Sequence, residues 1–211
     1  MYKLLKPNIY DCTVCPTRCD GKTVPKFDFE RDVNFSESVE NKVIAFINQK
    51  YPHLTAFKTT TDGYPDIEIR RSNSTEICLF LEIKVQSRTF MSVRKYLPAS
   101  ELFPSETLAL NLSDLERYFA IKDKTNLPVY ITWLLINRPC ITSSNATGKK
   151  FFTQKLDVLR EIRLADKNNN RRFRRASGDG DVVDGVHKGV VVNYHFSLNE
   201  LVEGLPDLTF L

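Results

Sequence analysis

Hydrophobic and polar positions change period several times along the chain, and each change marks an element. Phe35, Val39, Val43, Ile44, Phe46, Ile47 and Tyr51 recur at helical spacing as far as Pro52. This predicts a helix capped by Asn34 or Ser36, whose early acids Glu37 and Glu40 suit its positive end. Residues 54–61 predict a strand ending at the turn Asp62-Gly63, and 66–71 and 77–85 predict two more around the polar turn Ser72-Asn73-Ser74-Thr75. Residues 89–105 are mixed and proline-containing, read as loop and short helix. A helix capped by Ser113 carries Leu115, Tyr118, Phe119 and Ile121 and ends before Pro128, and 129–137 reads as a wholly buried strand. Helix–strand–strand–strand–helix–strand is a mixed α/β layer. The last third predicts a helix or strand over 151–164, a polar surface stretch over 166–188, a valine-rich strand over 189–196 and a short helix over 198–205. Residues 1–33 have no clean period and read as an irregular arm. Residues 34–211 read as one domain, with a core at 35–137 and a basic extension at 149–211.

Composition agrees with a soluble globular chain: 211 residues, 42% hydrophobic and 27% charged. The longest apolar run, Tyr130 to Ile136, is far too short to span a bilayer, and the N-terminus lacks the apolar stretch of a signal peptide. A cytoplasmic or nucleoid-associated protein, neither secreted nor membrane-bound, is expected. The net charge of +4 says little, but its placement says more: ten basic residues against three acids fall between Lys149 and Arg175. Lys149, Lys150, Arg171, Arg172, Arg174 and Arg175 are candidate nucleic-acid contacts, since guanidinium forks grip phosphates. A solvated surface with a loop explains the same run equally well. Cys78 and Cys140 lie in apolar runs and read as buried small residues. Cys12, Cys15 and Cys19 form a C-x2-C-x3-C cluster able to grip zinc or an iron–sulfur cluster. No fourth ligand stands near them, because His53, His187, His195 and Cys140 are all distant along the chain.

The informative segment is Gly63-Tyr64-Pro65-Asp66-Ile67-Glu68-Ile69 together with Leu79-Phe80-Leu81-Glu82-Ile83-Lys84-Val85-Gln86. Along the second stretch the odd positions are purely apolar, while the even face begins with Cys78 and Phe80 and turns ionic at Glu82, Lys84 and Gln86. A hairpin centred on Ser74 pairs Ile67 with Leu81 and Ile69 with Leu79, so the apolar faces match. The same register sets Asp66 opposite Glu82, with Lys84 two residues further along that face. Two opposed carboxylates repel unless a cation lies between them, and a hard divalent ion suits oxygen ligands. A neighbouring lysine can orient or deprotonate water and steady negative charge. The plainer reading is a surface hairpin with an ordinary cross-strand ion pair.

Pro65-Asp66 and Glu82-Ile83-Lys84 resemble the signature elements of the PD-(D/E)xK nuclease superfamily, which includes restriction endonucleases, Holliday-junction resolvases and repair nucleases. The resemblance covers about residues 35–137. It implies a restriction-endonuclease-like mixed central sheet with an αβββαβ core flanked by helices. It also implies a Mg2+- or Mn2+-dependent endonuclease acting on DNA, leaving 5′-phosphates and working as a homodimer. Asp66 and Glu82, with the Ile83 carbonyl, would hold the metal, and Lys84 would position or activate water. Glu40, or else Glu37, would be the helix acid, and Gln86 resembles the E-x-K-x-Q variant. The size and extra segments suit a restriction-type enzyme. A junction resolvase or other structure-specific nuclease is the alternative, and a non-catalytic DNA-binding or assembly module is the reading from another class.

Overall fold

The computed structural model describes residues 2–15, 19, 29–143, 145–174, 182–183, 186–187 and 191–210. A short hairpin, β1 (Leu4–Lys6) and β2 (Ile9–Tyr10), precedes the helix α1 (Phe29–Lys50). Then come β3 (Leu54–Lys58), β4 (Ile67–Arg71), β5 (Ile77–Gln86), the turn of helix α2 (Val93–Tyr96), β6 (Thr107–Asn111), α3 (Leu112–Thr125) and β7 (Val129–Ile136). The chain continues through α4 (Pro139–Thr142), β8 (Lys149–Lys155), α5 (Leu156–Ala165), β9 (Arg172–Arg174), β10 (Val182–Val183), β11 (Val186–His187), β12 (Val192–Ser197) and β13 (Val202–Glu203).

Six strands form the central sheet in the order β13-β8-β7-β5-β4-β3. β5 and β7 are parallel, joined by the crossover through α3, and the other neighbours are antiparallel. Burial sets this register. Ile67 pairs with Leu81 and Ile69 with Leu79, as the apolar match predicts, and only beyond Ile69 does a bulge shift the ladder. One face of the sheet, Ile67, Ile69, Leu79, Leu81 and Ile83, packs on Val39, Val43 and Ile47 of α1. The other, with Phe80, Ile131, Trp133 and Leu135, is covered by Leu115, Tyr118 and Ile121 of α3 and by a second sheet, β6-β12-β9. The even face of β5 is therefore apolar at Phe80 and turns ionic at Glu82 and Lys84, where Lys84 meets Asp114 and Tyr118 near the start of α3.

Four local readings need correction. α1 begins at Phe29, so the boundary expected after residue 33 falls inside a helix; its first turns carry Glu30, Arg31 and Asp32, charged residues that offer no apolar stripe to announce them. β6 lies between the loop and short helix read over 89–105 and the helix cap read at Ser113, where no element is predicted, and it founds the second sheet. The span over 151–164 is neither helix nor strand alone but β8 followed by α5. The expected terminal helix is one 3-10 turn, Leu198–Glu200, and then β13. Among the described residues no helix is long and apolar enough to cross a membrane.

Candidate active site

Pro65 and Asp66 lie where β4 separates from β5. Continuing the ladder would set Ile83 opposite Pro65, which has no N–H to donate. The Asp66 side chain takes over the exchange: the Ile83 N–H donates to Asp66 Oδ2 at 2.8 Å, and the Asp66 N–H donates to Glu82 Oε2 at 3.2 Å. The Glu82 carboxylate is thereby bound to the Asp66 backbone, and the Asp66 carboxylate to the backbone of Ile83, the residue after Glu82, at one end of the sheet. Lys84 Nζ lies 2.6 Å from Glu82 Oε1, and Glu82 is only 2% exposed.

Glu40 reaches this end from α1. It is 6% exposed, accepts from Ser36 Oγ at 3.4 Å and lies 3.5 Å from Lys58 Nζ. Glu37 is half exposed and pairs with the same lysine at 3.0 Å. Asp66 is pushed up to about 7, by burial first, then by the charge of Glu82 and, more weakly, of Glu40; the Ile83 N–H opposes the shift. Burial pulls the Lys84 ammonium down, but Glu82, Tyr118 and Asp114 outweigh it and hold the group above the ordinary lysine range. Burial and then Glu82 likewise raise the Tyr118 hydroxyl, so it stays protonated.

Asp114 and Tyr118 are site residues that the sequence reading missed. Asp114, in the first turn of α3, places Oδ2 3.4 Å from Lys84 Nζ and Oδ1 3.0 Å from Arg117. Lys84 is thus held between Glu82 and Asp114. The one sequence signal was an acid in a helix's first turn, which reads as dipole compensation alone. Gln86 does not join the acids. Its amide donates to the carbonyls of Arg88 and Thr107 at 3.1 and 3.2 Å, and its Oε1 accepts from the Ala109 N–H at 3.0 Å, so it ties β5 to β6.

The basic residues do not form one patch. Lys149 and Lys150 line a groove with Phe35, Val39, Lys42 and Lys50 of α1, and Lys150 pairs with Glu203 at 2.9 Å. Arg171 pairs with Glu200 at 2.7 Å. Arg172 and Arg174 are exposed on β9, beside a cleft of about 450 Å3 that Lys84, Asp114, Phe173 and Asn193 help line. Phe173 packs against Phe90 and Tyr96, with ring centroids 4.9 and 5.3 Å apart. Arg175 lies outside the described residues.

Among the described residues, no group of three or more His, Cys, Asp or Glu stands ready to hold a metal ion. Cys140, distant in sequence, nevertheless lines the same small cavity as Cys12, Cys15 and Cys19.

The core, with Asp66, Glu82 and Lys84 at one end of its mixed sheet, has the αβββαβ order that the sequence resemblance implies. Among solved structures the chain is similar to Hjc, a Holliday junction resolvase from the archaeal hyperthermophile Archaeoglobus fulgidus. The two are 11% identical with a TM-score of 0.40, over 80% of this chain and 90% of that one. No protein-family model matches the sequence, and no curated protein does.

Proposed function

We propose that this chain is a divalent-metal-dependent nuclease that hydrolyses phosphodiester bonds in DNA at Asp66, Glu82 and Lys84. The observation that carries the reading is a pair of hydrogen bonds across the strand end, from the Asp66 N–H to the Glu82 carboxylate and from the Ile83 N–H to the Asp66 carboxylate, with Lys84 2.6 Å from Glu82. An ion pair made for stability alone would not need a second carboxylate raised to about 7 beside it. That acid pair fits a hard cation: its donors are all oxygens and its repulsion is what a bound cation relieves. Asp66, Glu82 and the Ile83 carbonyl would hold Mg2+ or Mn2+, with Glu40 supporting from α1. Such an ion supplies Lewis acidity toward a phosphate oxygen and a water of lowered pKa.

Lys84 acts as a fixed positive charge. Held protonated between Glu82 and Asp114, it donates hydrogen bonds to the attacking water or to a phosphoryl oxygen and steadies the charge that develops there. Deprotonating the water falls to another group. Tyr118, also kept protonated, fixes Glu82 as an acceptor.

A structure-specific nuclease is the better reading of the substrate. Reading base edges needs side chains free to enter a groove. In the basic extension Arg171 is paired with Glu200, and Phe173 is packed on Phe90 and Tyr96. Among the described arginines of that extension, Arg172 and Arg174 are exposed on β9 and suited to phosphates. The test is incubation with a four-way junction and with linear duplex, with and without Mg2+. Junction cutting that stops in Asp66→Ala and Lys84→Ala supports the proposal. Fixed-position cutting of linear duplex supports the restriction type, and cleavage unchanged in either variant ends the assignment. A homodimer, each site cutting one strand, is expected by light scattering.

A further inference from the structure

We propose that Cys12, Cys15, Cys19 and Cys140, beside the buried guanidinium of Arg138, form a tetrathiolate site for a single thiophilic metal ion, zinc by its chemistry. This assignment does not depend on the nuclease reading.

The fold assembles the four residues from two distant segments. Cys12 and Cys15 follow the β1–β2 hairpin, which is fastened to the body where the Tyr10 N–H donates to Ser105 Oγ at 2.8 Å. Cys19 is buried, and its carbonyl accepts from the Thr89 N–H at 2.8 Å. Cys140 is supplied by α4, two residues after Arg138. All four, with Thr89, Met91, Ser105 and Arg138, line one cavity of about 10 Å3. That volume is about what one small atom needs. As they stand the four cysteines do not make a group that could hold a metal ion, so binding would require the sulfurs to draw together.

Two independent observations point to a missing occupant. Arg138 is 1% exposed; its Nη1 and Nη2 donate to the carbonyls of Ser105 and Arg88 at 3.3 and 3.2 Å, but its Nε has no partner among the described residues. Thr89 Oγ1, on the same cavity, is likewise buried and unpartnered among them. Among the described residues, the titratable groups that act on Arg138 are Cys140, Cys19 and Cys12, with no carboxylate among them. A buried charge without a counter-ion is costly. Protonated thiols cannot balance it. Four thiols binding one Zn2+ release four protons to solvent and leave a centre of charge −2, the counter-ion that Arg138 lacks among the described residues.

The test is zinc and iron content of the full chain purified without chelator. About one zinc per chain is expected, lost at least about tenfold in Cys140→Ser and retained in Cys78→Ser, whose thiol is outside the cluster. Arg138→Met should weaken zinc binding about 10–100-fold in a chelator competition, with recovery in Arg138→Lys. Should Cys140→Ser fail to fold, Co2+ substitution of the wild-type chain counts the ligands, and thiolate-to-cobalt bands of four sulfurs support the site. A chain that neither carries zinc nor takes it up, zinc retained in Cys140→Ser, a Cys19–Cys140 disulfide in the native protein, or a multi-iron chromophore would each overturn it.

Discussion

At the scale of single residues, Asp66 carries the most testable consequence. Its carboxyl is raised from 3.8 to about 7 in the fold, so its contribution to stability is fully present below about pH 4 and is lost as pH rises through 7. In chelator, the wild-type chain should therefore lose on the order of 2 kcal/mol between those limits, after allowance for partial exposure. Asp66→Asn keeps an acceptor for the Ile83 N–H and removes the charge, so it should lack this slope and be the more stable protein at pH 8. Urea denaturation of both chains at pH 5 and pH 8 measures the difference, and parallel pH profiles would sink the argument. Added Mg2+ should stabilise the wild type at pH 8 and leave Asp66→Asn unchanged. Asp114 invites a second comparison. It touches Lys84 without reaching the paired acids, so Asp114→Ala should lower kcat about 10–100-fold with KM little changed. Equal losses in Asp114→Ala and Asp114→Asn would mean that its charge matters; recovery in the Asn variant would mean that only its hydrogen bond does.

Among elements, β5 explains why half of the site could be read from sequence and half could not. Its period of two separates an apolar face from one that turns ionic, and the apolar match with β4 leaves one register. Asp66, Glu82 and Lys84 follow from that pattern without any tertiary knowledge. Asp114 and Tyr118 do not, and neither does Cys140 of the separate thiol cluster, because each is brought in by a crossover or a turn whose packing no local period encodes. β6 escaped for a related reason: Thr107–Asn111 is five residues long and becomes a strand by pairing with β12, more than eighty residues later. Gln86 shows how a motif position can mislead. It aligns with the acids on the strand, yet its amide is used on Arg88, Thr107 and Ala109, which fastens the second sheet to the first. Gln86→Leu should cost about 1–3 kcal/mol in denaturation experiments, because three backbone groups lose a partner. Cleavage per folded molecule should stay near that of the wild type; a collapse of kcat at unchanged stability would return Gln86 to the reacting groups.

For the molecule as a whole, the question is which surface meets the nucleic acid. The run of basic residues from Lys149 to Arg175 is continuous in sequence, but the fold divides it between two surfaces. Lys149 lies over the Phe35 ring on the α1 side, whereas Arg172 and Arg174 border the cleft that opens on Lys84. Under the proposed function, a duplex delivering a phosphate to Lys84 would pass β9, which borders the same cleft, rather than the α1 groove. Every phosphate that a side-chain cation ceases to neutralise takes about 0.9 from the slope of log affinity against log salt. Arg172→Ala with Arg174→Ala should therefore flatten that slope by about 1.8 and weaken binding alike for all sequences. Lys149→Ala should leave the slope where it was. Fluorescence anisotropy with a labelled junction at several salt concentrations, in Ca2+ to prevent cutting, reads both numbers. If Lys149→Ala flattened the slope and the arginine pair did not, DNA would be approaching across α1, and the acids at the end of β5 would be facing away from it.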